Sequence, residues 1–248
     1  MRLAGVDAEL SRAEFDKYAA PLLLLHGLWA HTWVWRPLSS YLAHRGWNSY
    51  TLAWSGAARN WDELMARARA AAAELGLPIV IGHDLGAVAA MRLEHVRAAV
   101  ALNPLPCGPG MPSHPLSRSL LARFARGLGR DRVPSRTKAQ RLFGVPADQL
   151  TPESWAWFDE LASIAPPAPL PRPLLVLGGG NDALAAVEVT ATIAASAGGT
   201  MKSYPAASHD LPYGRGWQDA AADLHRWLVQ QLGESVLLLR GDEDLCDD

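Results

Sequence analysis

Short apolar runs alternate with stretches of helical spacing along most of the chain. This alternation predicts a mostly parallel sheet with helices between its strands. The run "PLLLLHG" (21–27) reads as a buried strand ending at Gly27, and "WNSYTLAW" (47–54) as a second strand. "WDELMARARAAAAELG" (61–76) has helical periodicity, with Gly76 as its stop. A third strand is predicted in "PIVIGHD" (78–84), followed by a helix in "LGAVAAMRLEHV" (85–96). "RAAVALNP" (97–104) and "RPLLVLGGGND" (172–182) supply a fourth and a fifth strand. The last strand lies in "TMKSYPAASHD" (200–210), before a helix in "GWQDAAADLHRWLVQQL" (216–232).

The pattern breaks between Pro104 and Pro171. "PLPCGPGMPSHP" (104–115) is a Pro/Gly-rich connector, and "PLSRSLLARFARGLG" (115–129) is a basic amphipathic helix candidate. "TPESWAWFDELASI" (151–164) reads as a helix opened by Thr151, with Glu153 near the capping position. "APPAPLPRP" (165–173) returns the chain to the sheet. Residues 105–170 therefore form a helical insertion, a small cap over the mouth of one α/β domain. The basic helix packs on that domain in this reading rather than on a membrane.

Composition narrows the classes of function. The chain has 248 residues, enough for one sizeable α/β domain, and its 49% hydrophobic and 19% charged residues are those of an ordinary globular protein. Twenty-three basic residues against 25 acidic ones leave a net charge of −2, and the ten tryptophans are not interleaved with Lys or Arg. Nothing here suggests a nucleic-acid partner. Cys107 and Cys246 are too few and too far apart for a disulfide framework or a metal site, which fits a reducing cytoplasm. The N-terminus carries charges throughout, and no apolar run approaches the roughly 20 residues that span a bilayer. The apolar "SVLLLR" (235–240) reads as an added edge strand or a contact with another chain, hence a route to an oligomer. The acidic tail beyond it reads as frayed.

Open α/β sheets place reactive groups just past the carboxyl ends of their strands. His26-Gly27, Asp84, Asp182 and His209 all fall there. Gly82-His83-Asp84-Leu85-Gly86 has the outline of a nucleophile elbow, a sharp strand-to-helix turn that presents one side chain at the mouth of the site. That side chain is usually serine; here it is aspartate. Asp84, Asp182 and His209 follow one another in the order nucleophile, acid, histidine.

On these residues the chain resembles the α/β-hydrolase superfamily over about residues 20–232. His26-Gly27-Leu28-Trp29, with Trp33 and Trp35 after it, and His209-Asp210-Leu211-Pro212, with Trp217 beyond, resemble small esterase-like members. The Gly-His-Asp elbow instead resembles that of epoxide hydrolases and haloalkane dehalogenases. The resemblance implies a cofactor-free, metal-free enzyme acting on a small-molecule substrate. Asp84 would attack carbon, because a carboxylate is ionised at neutral pH and needs no base to activate it. His209, oriented by Asp182, would activate water against the resulting ester. The peptide N–H groups of Leu28 and Leu85 are placed for an oxyanion hole. His26 and His83 read as hydrogen-bonded supports of their turns. Trp29 and His31 read equally as lining of the entrance or as packing, and of Trp155 and Trp157 one or both are expected to face the pocket.

The signatures of substrate are incomplete. Between Tyr50 and Tyr204 there is no tyrosine to protonate an epoxide oxygen from the cap, and Leu85 stands where dehalogenases carry a halide-binding tryptophan. Aspartate also handicaps ester hydrolysis, since attack on an acyl carbon gives an anhydride. The favoured reading is an alkyl-enzyme ester formed on an epoxide or organohalide, with the epoxide preferred. The alternatives are a non-hydrolytic isomerase, epimerase or lyase using Asp84 and His209 as an acid–base pair, and a binding protein with a vestigial site.

Overall fold

The computed structural model describes residues 1–55, 58, 60–109, 133–154 and 156–232. The basic stretch 115–129, Trp155, "SVLLLR", Cys246 and the acidic tail lie outside the described residues.

Eight strands form one sheet: β1 (Arg2–Leu3), β2 (Val6–Ser11), β3 (Leu22–Leu25), β4 (Ser49–Leu52), β5 (Ile79–His83), β6 (Ala98–Leu102), β7 (Leu174–Gly179) and β8 (Thr200–Tyr204). Their spatial order is β1-β2-β4-β3-β5-β6-β7-β8. Strands β3 to β8 run parallel, whereas β1 and β2 pair antiparallel at the β4 edge. The edge pair was not predicted, although "VDAELS" alternates apolar and polar residues as a half-covered strand does; its position comes from pairing with the β4 backbone.

Four consecutive leucines can form β3 because both faces of the sheet are covered. Leu23 and Leu25 join one apolar cluster while Leu22 and Leu24 join the opposite one, as the two-residue period of a strand requires. Val80 and its neighbours Ile79 and Ile81 divide in the same way on β5. The helix Trp61–Leu75 starts where the Asn60 side chain accepts from Glu63 N, and it ends at Gly76 in the left-handed conformation. Its buried residues Leu64, Met65, Ala68, Ala71 and Ala72 make a single stripe against the sheet.

Two predicted helices are shorter than their patterns. The one after β5 covers Leu85–Ala90 and not 85–96. The Arg172 guanidinium donates to Ala90 O at 2.8 Å and Leu93 O at 2.9 Å, so distant donors take carbonyls that further turns would have used. The cap helix spans Trp157–Ser163 and does not open at Thr151. Thr151 N donates to Trp29 O at 2.8 Å, and Glu153 accepts from Ser55 Oγ at 2.6 Å, so both residues tie the cap to the sheet and cap no helix. The helices Arg36–Ala43, Arg136–Phe143 and Val187–Ser196 complete the layers without having been predicted. Among the described residues no helix is long and apolar enough to cross a membrane.

Candidate active site

The elbow is built by backbone proximity. A Cβ on Gly82 would lie 2.0 Å from Gly86 O, and one on Gly86 would lie 2.0 Å from Leu25 O. Only glycine lets the strand turn so tightly into its helix. Between them Asp84 takes φ 58° and ψ −118°, a strained conformation for a residue with a side chain. Gly27 clears the space in front, since a Cβ there would sit 2.3 Å from Asp84 Cβ.

The three predicted side chains converge. His209 Nε2 is 2.8 Å from Asp84 Oδ2, and His209 Nδ1 is 2.9 Å from Asp182 Oδ2. Asp84 Oδ1 accepts from Leu28 N at 2.9 Å and also from Leu85 N. The two peptide N–H groups suited to an oxyanion hole thus hold one oxygen of the carboxylate itself. Asp182 Oδ1 accepts from Leu184 N at 2.7 Å and Ala185 N at 3.1 Å, which closes a turn just past β7.

Asn103 was not singled out from the sequence. It sits just past β6 at φ 45°, and its Nδ2 donates to Asp182 Oδ2 at 2.6 Å. The available signal was position alone, because the "LNP" after a buried strand ends on the same rim as Asp84 and Asp182. Phe143, from the cap, meets the His209 ring edge-on at 6.0 Å, and Tyr213 Oη donates to Phe143 O at 2.9 Å. No sequence pattern marked either residue.

The site is enclosed. Asp84 and His209 are both 0% exposed, so the elbow side chain does not stand in an open mouth. Trp29 and Trp157 are buried as well. Trp29 packs on Phe143 and Phe158, which makes it a contact between domain and cap and not an entrance residue. His31 is half-buried, with Nδ1 3.1 Å from Thr32 Oγ1 and its ring stacked on His26.

Charge follows from this geometry. Burial opposes a charged imidazole at His209, but the Asp182 carboxylate and then Asp84 outweigh it and push its pKa up to about 10. Burial likewise opposes ionisation of the two acids. The hydrogen bond and charge of His209 more than offset this, holding Asp84 below its ordinary value and Asp182 at about 2. At neutral pH the site is therefore an imidazolium between two carboxylates. His26 and His83 are the opposite case. Burial lowers each to about 4, and each neutral ring donates one N–H to a carbonyl: His26 Nδ1 to Gly27 O, and His83 Nε2 to His209 O. They brace the two loops of the site. Among the described residues no cluster of three or more His, Cys, Asp or Glu is placed to hold a metal ion.

A crossover-linked parallel sheet, a glycine-framed elbow and a histidine held by an acid from a later strand define a hydrolase-fold protein. The sequence profile described as "Alpha/beta hydrolase family" matches residues 22–235, and the chain belongs to that family. Solved structures share the fold at low identity. A soluble variant of monoglyceride lipase from Saccharomyces cerevisiae aligns over 90% of this chain and 91% of its own, with 14% identity and a TM-score of 0.71. A thermophilic esterase from Thermogutta terrifontis aligns over 91% and 93%, with 15% identity and a TM-score of 0.68. A monoacylglycerol lipase from Paleococcus ferrophilus aligns over 91% and 99%, with 19% identity and a TM-score of 0.64. No curated protein sequence matches the chain.

Proposed function

We propose that this α/β-fold hydrolase acts on a small apolar epoxide or organohalide through an alkyl ester of Asp84. One observation carries this reading: the carboxylate's own Oδ1 fills the pair of donors at Leu28 and Leu85. In acyl hydrolases of this fold that pair receives the oxyanion of an acyl intermediate. Here it fixes the attacking carboxylate and later meets an oxyanion formed on that same Asp84 carbon. The lipases and esterases that share the fold therefore do not lend this chain their substrates.

Chemical steps follow from the protonation state. Asp84 Oδ2 forms a C–O bond to an sp³ carbon as the C–O bond of the epoxide, or the C–halogen bond, breaks. The opening alkoxide takes the Nε2 proton of the His209 imidazolium, which removes the need for a cap tyrosine and favours the epoxide. A halide would leave as the anion, and the Nε2 proton of His209 would then pass to solvent. Esterification cancels the charge on Asp84, so His209 loses one of the two carboxylates that hold its proton and becomes a base. Its Nδ1–H stays on Asp182 while Nε2 takes a proton from water. The hydroxide adds to Asp84 Cγ, and the oxyanion falls on Leu28 N and Leu85 N. Each such donor is worth about 10²–10³ in rate. Collapse expels the alcohol, which receives the proton from His209, and the carboxylic acid left at Asp84 passes its own proton to Nε2, restoring the carboxylate and the imidazolium.

A carboxylate held below its ordinary pKa by three hydrogen bonds is a poor base toward carbon acids, which weighs against the isomerase, epimerase or lyase reading. Intact-mass spectrometry of His209→Gln with panels of epoxides and organohalides tests the proposal. The expected outcome is a stable adduct of one substrate mass for an epoxide, or of substrate minus hydrogen halide for a halide, mapping to Asp84. Turnover by the wild type with no adduct on the variant would sink it.

A further inference from the structure

The oxyanion-binding loop is held in place from the cap. Trp29, the residue after Leu28, has φ 57°, the left-handed region that an aromatic L-residue adopts rarely. Such a conformation persists where its surroundings over-determine it. Trp29 is 1% exposed, and described contacts reach it from the cap in three places. Its carbonyl accepts from Thr151 N at 2.8 Å, and its ring lies 5.8 Å from Phe143 and 5.8 Å from Phe158, centroid to centroid. The strap carrying Thr151 is pinned in turn by the Ser55–Glu153 hydrogen bond, with Glu153 itself buried. One residue before Trp29, Leu28 N reaches Asp84 Oδ1 at 2.9 Å.

We propose that Trp29 is a positioning residue: by clamping its ring and carbonyl, the cap holds the Leu28 amide on the carboxylate of Asp84. Removal of the clamp lets Trp29 relax toward negative φ. That movement reorients the peptides on either side of it and draws the Leu28 N–H away from the carboxylate. The oxyanion pair is then complete only with the cap contacts in place. The catalytic meaning rests on Asp84 as the attacking group, but the contact itself is measured without substrate.

The test is amide hydrogen exchange of Leu28 relative to Leu24, a central β3 residue, in the full chain. Phe158→Ala removes a cap ring without touching the loop. It is expected to raise the Leu28/Leu24 exchange ratio by about tenfold, the scale of a left-handed penalty of 1–2 kcal/mol at 1.36 kcal/mol per decade. A merely structural phenylalanine would speed both amides together, and an unchanged ratio overturns the proposal. Adding Trp29→Gly supplies a residue that takes φ 57° freely, so the double variant should recover a ratio within about threefold of the wild type. A ratio that stays high overturns the role of Trp29 strain. Should Phe158→Ala not fold, Phe158→Leu must move the ratio in the same direction by about threefold, and no movement overturns the proposal. Neither result depends on epoxide or halide turnover, so the absence of an Asp84 adduct in the His209→Gln experiment would leave this contact standing.

Discussion

The two carboxylates that share His209 are the same residue in different surroundings. Both accept at Oδ1 from two backbone N–H groups: Asp84 from Leu28 and Leu85, Asp182 from Leu184 and Ala185. Both point Oδ2 at the imidazole, at 2.8 and 2.9 Å. The difference lies in the last acceptor position. Asp182 Oδ2 also accepts from Asn103 Nδ2 at 2.6 Å, which occupies the carboxylate fully, while among the described residues Asp84 Oδ2 meets His209 alone. Asp84 also stands on a strained turn, at φ 58°. In the proposed reaction the saturated acid holds the proton carrier in place, and the acid with a spare lone pair attacks. Acceptor saturation, more than residue type, distinguishes the two carboxylates.

The largest test of that division removes the attacking oxygen. Asp84→Asn keeps an acceptor for Leu28 and Leu85 but loses the anion, and turnover should fall by at least about 10⁴ in steady-state assays, as for loss of a nucleophile elsewhere. The same role is visible isotopically. A single turnover in ¹⁸O-water should label Asp84 and leave the first product unlabelled, with label passing to product on repeated turnover. Substrate deuterium exchange together with an unlabelled Asp84 would reverse the assignment of attack to this side of His209.

Next in size is the holding side. Asp182→Asn should slow hydrolysis of the alkyl ester by about 10³–10⁴, by analogy with the orienting acid of a serine triad. Alkylation should suffer less, so rapid-quench mass spectrometry should show the adduct accumulating. Equal slowing of both steps would mean that Asp182 does more than orient and charge-stabilise His209. Asn103→Ala frees Asp182 Oδ2 and should cost about tenfold in ester hydrolysis, near the 1–2 kcal/mol of a lost hydrogen bond to a charged group. If Asn103→Ala equals Asp182→Asn in effect, saturation of Asp182 matters more than its charge.

The smallest expected effect is on stability. The His209 pKa is raised from 6.5 to about 10, so its contribution is complete below pH 6.5 and is lost as pH rises toward 10. Asp182 is lowered from 3.8 to about 2, so its contribution is complete above pH 3.8 and is lost as pH falls toward 2. Denaturant midpoints should fall at both ends of the range. In His209→Gln the alkaline fall should flatten. Persistence of that fall would place its origin in groups other than the imidazolium.

How much was legible depends on how local each cause is. The β3 leucines, the Gly76 end of one helix, and the Gly82–Gly86 elbow could be read directly, because a few neighbouring residues set the backbone there. Asp182 and His209 could be read from their places after strands, since a parallel sheet puts every such end on one rim. Thr151 and Glu153 misled, because residues suited to a helix start are taken by Trp29 O and Ser55 Oγ, partners distant in sequence. The helix after the elbow stopped early for the same kind of reason, with Arg172 closing it from the far side of the insertion.

The parallel sheet, the elbow and the acid upon it are legible in the order of the amino acids. These follow from hydrophobic period, from glycine's missing Cβ and from chain order. Folding adds that Asp84 accepts at Oδ1 from Leu28 N and Leu85 N, that Asn103 fills Asp182, and that the cap reaches the loop through Trp29. Each of these is a hydrogen bond or ring contact between segments far apart in the chain. Such contacts depend on distances of a few tenths of an ångström, which spacing along a sequence does not encode.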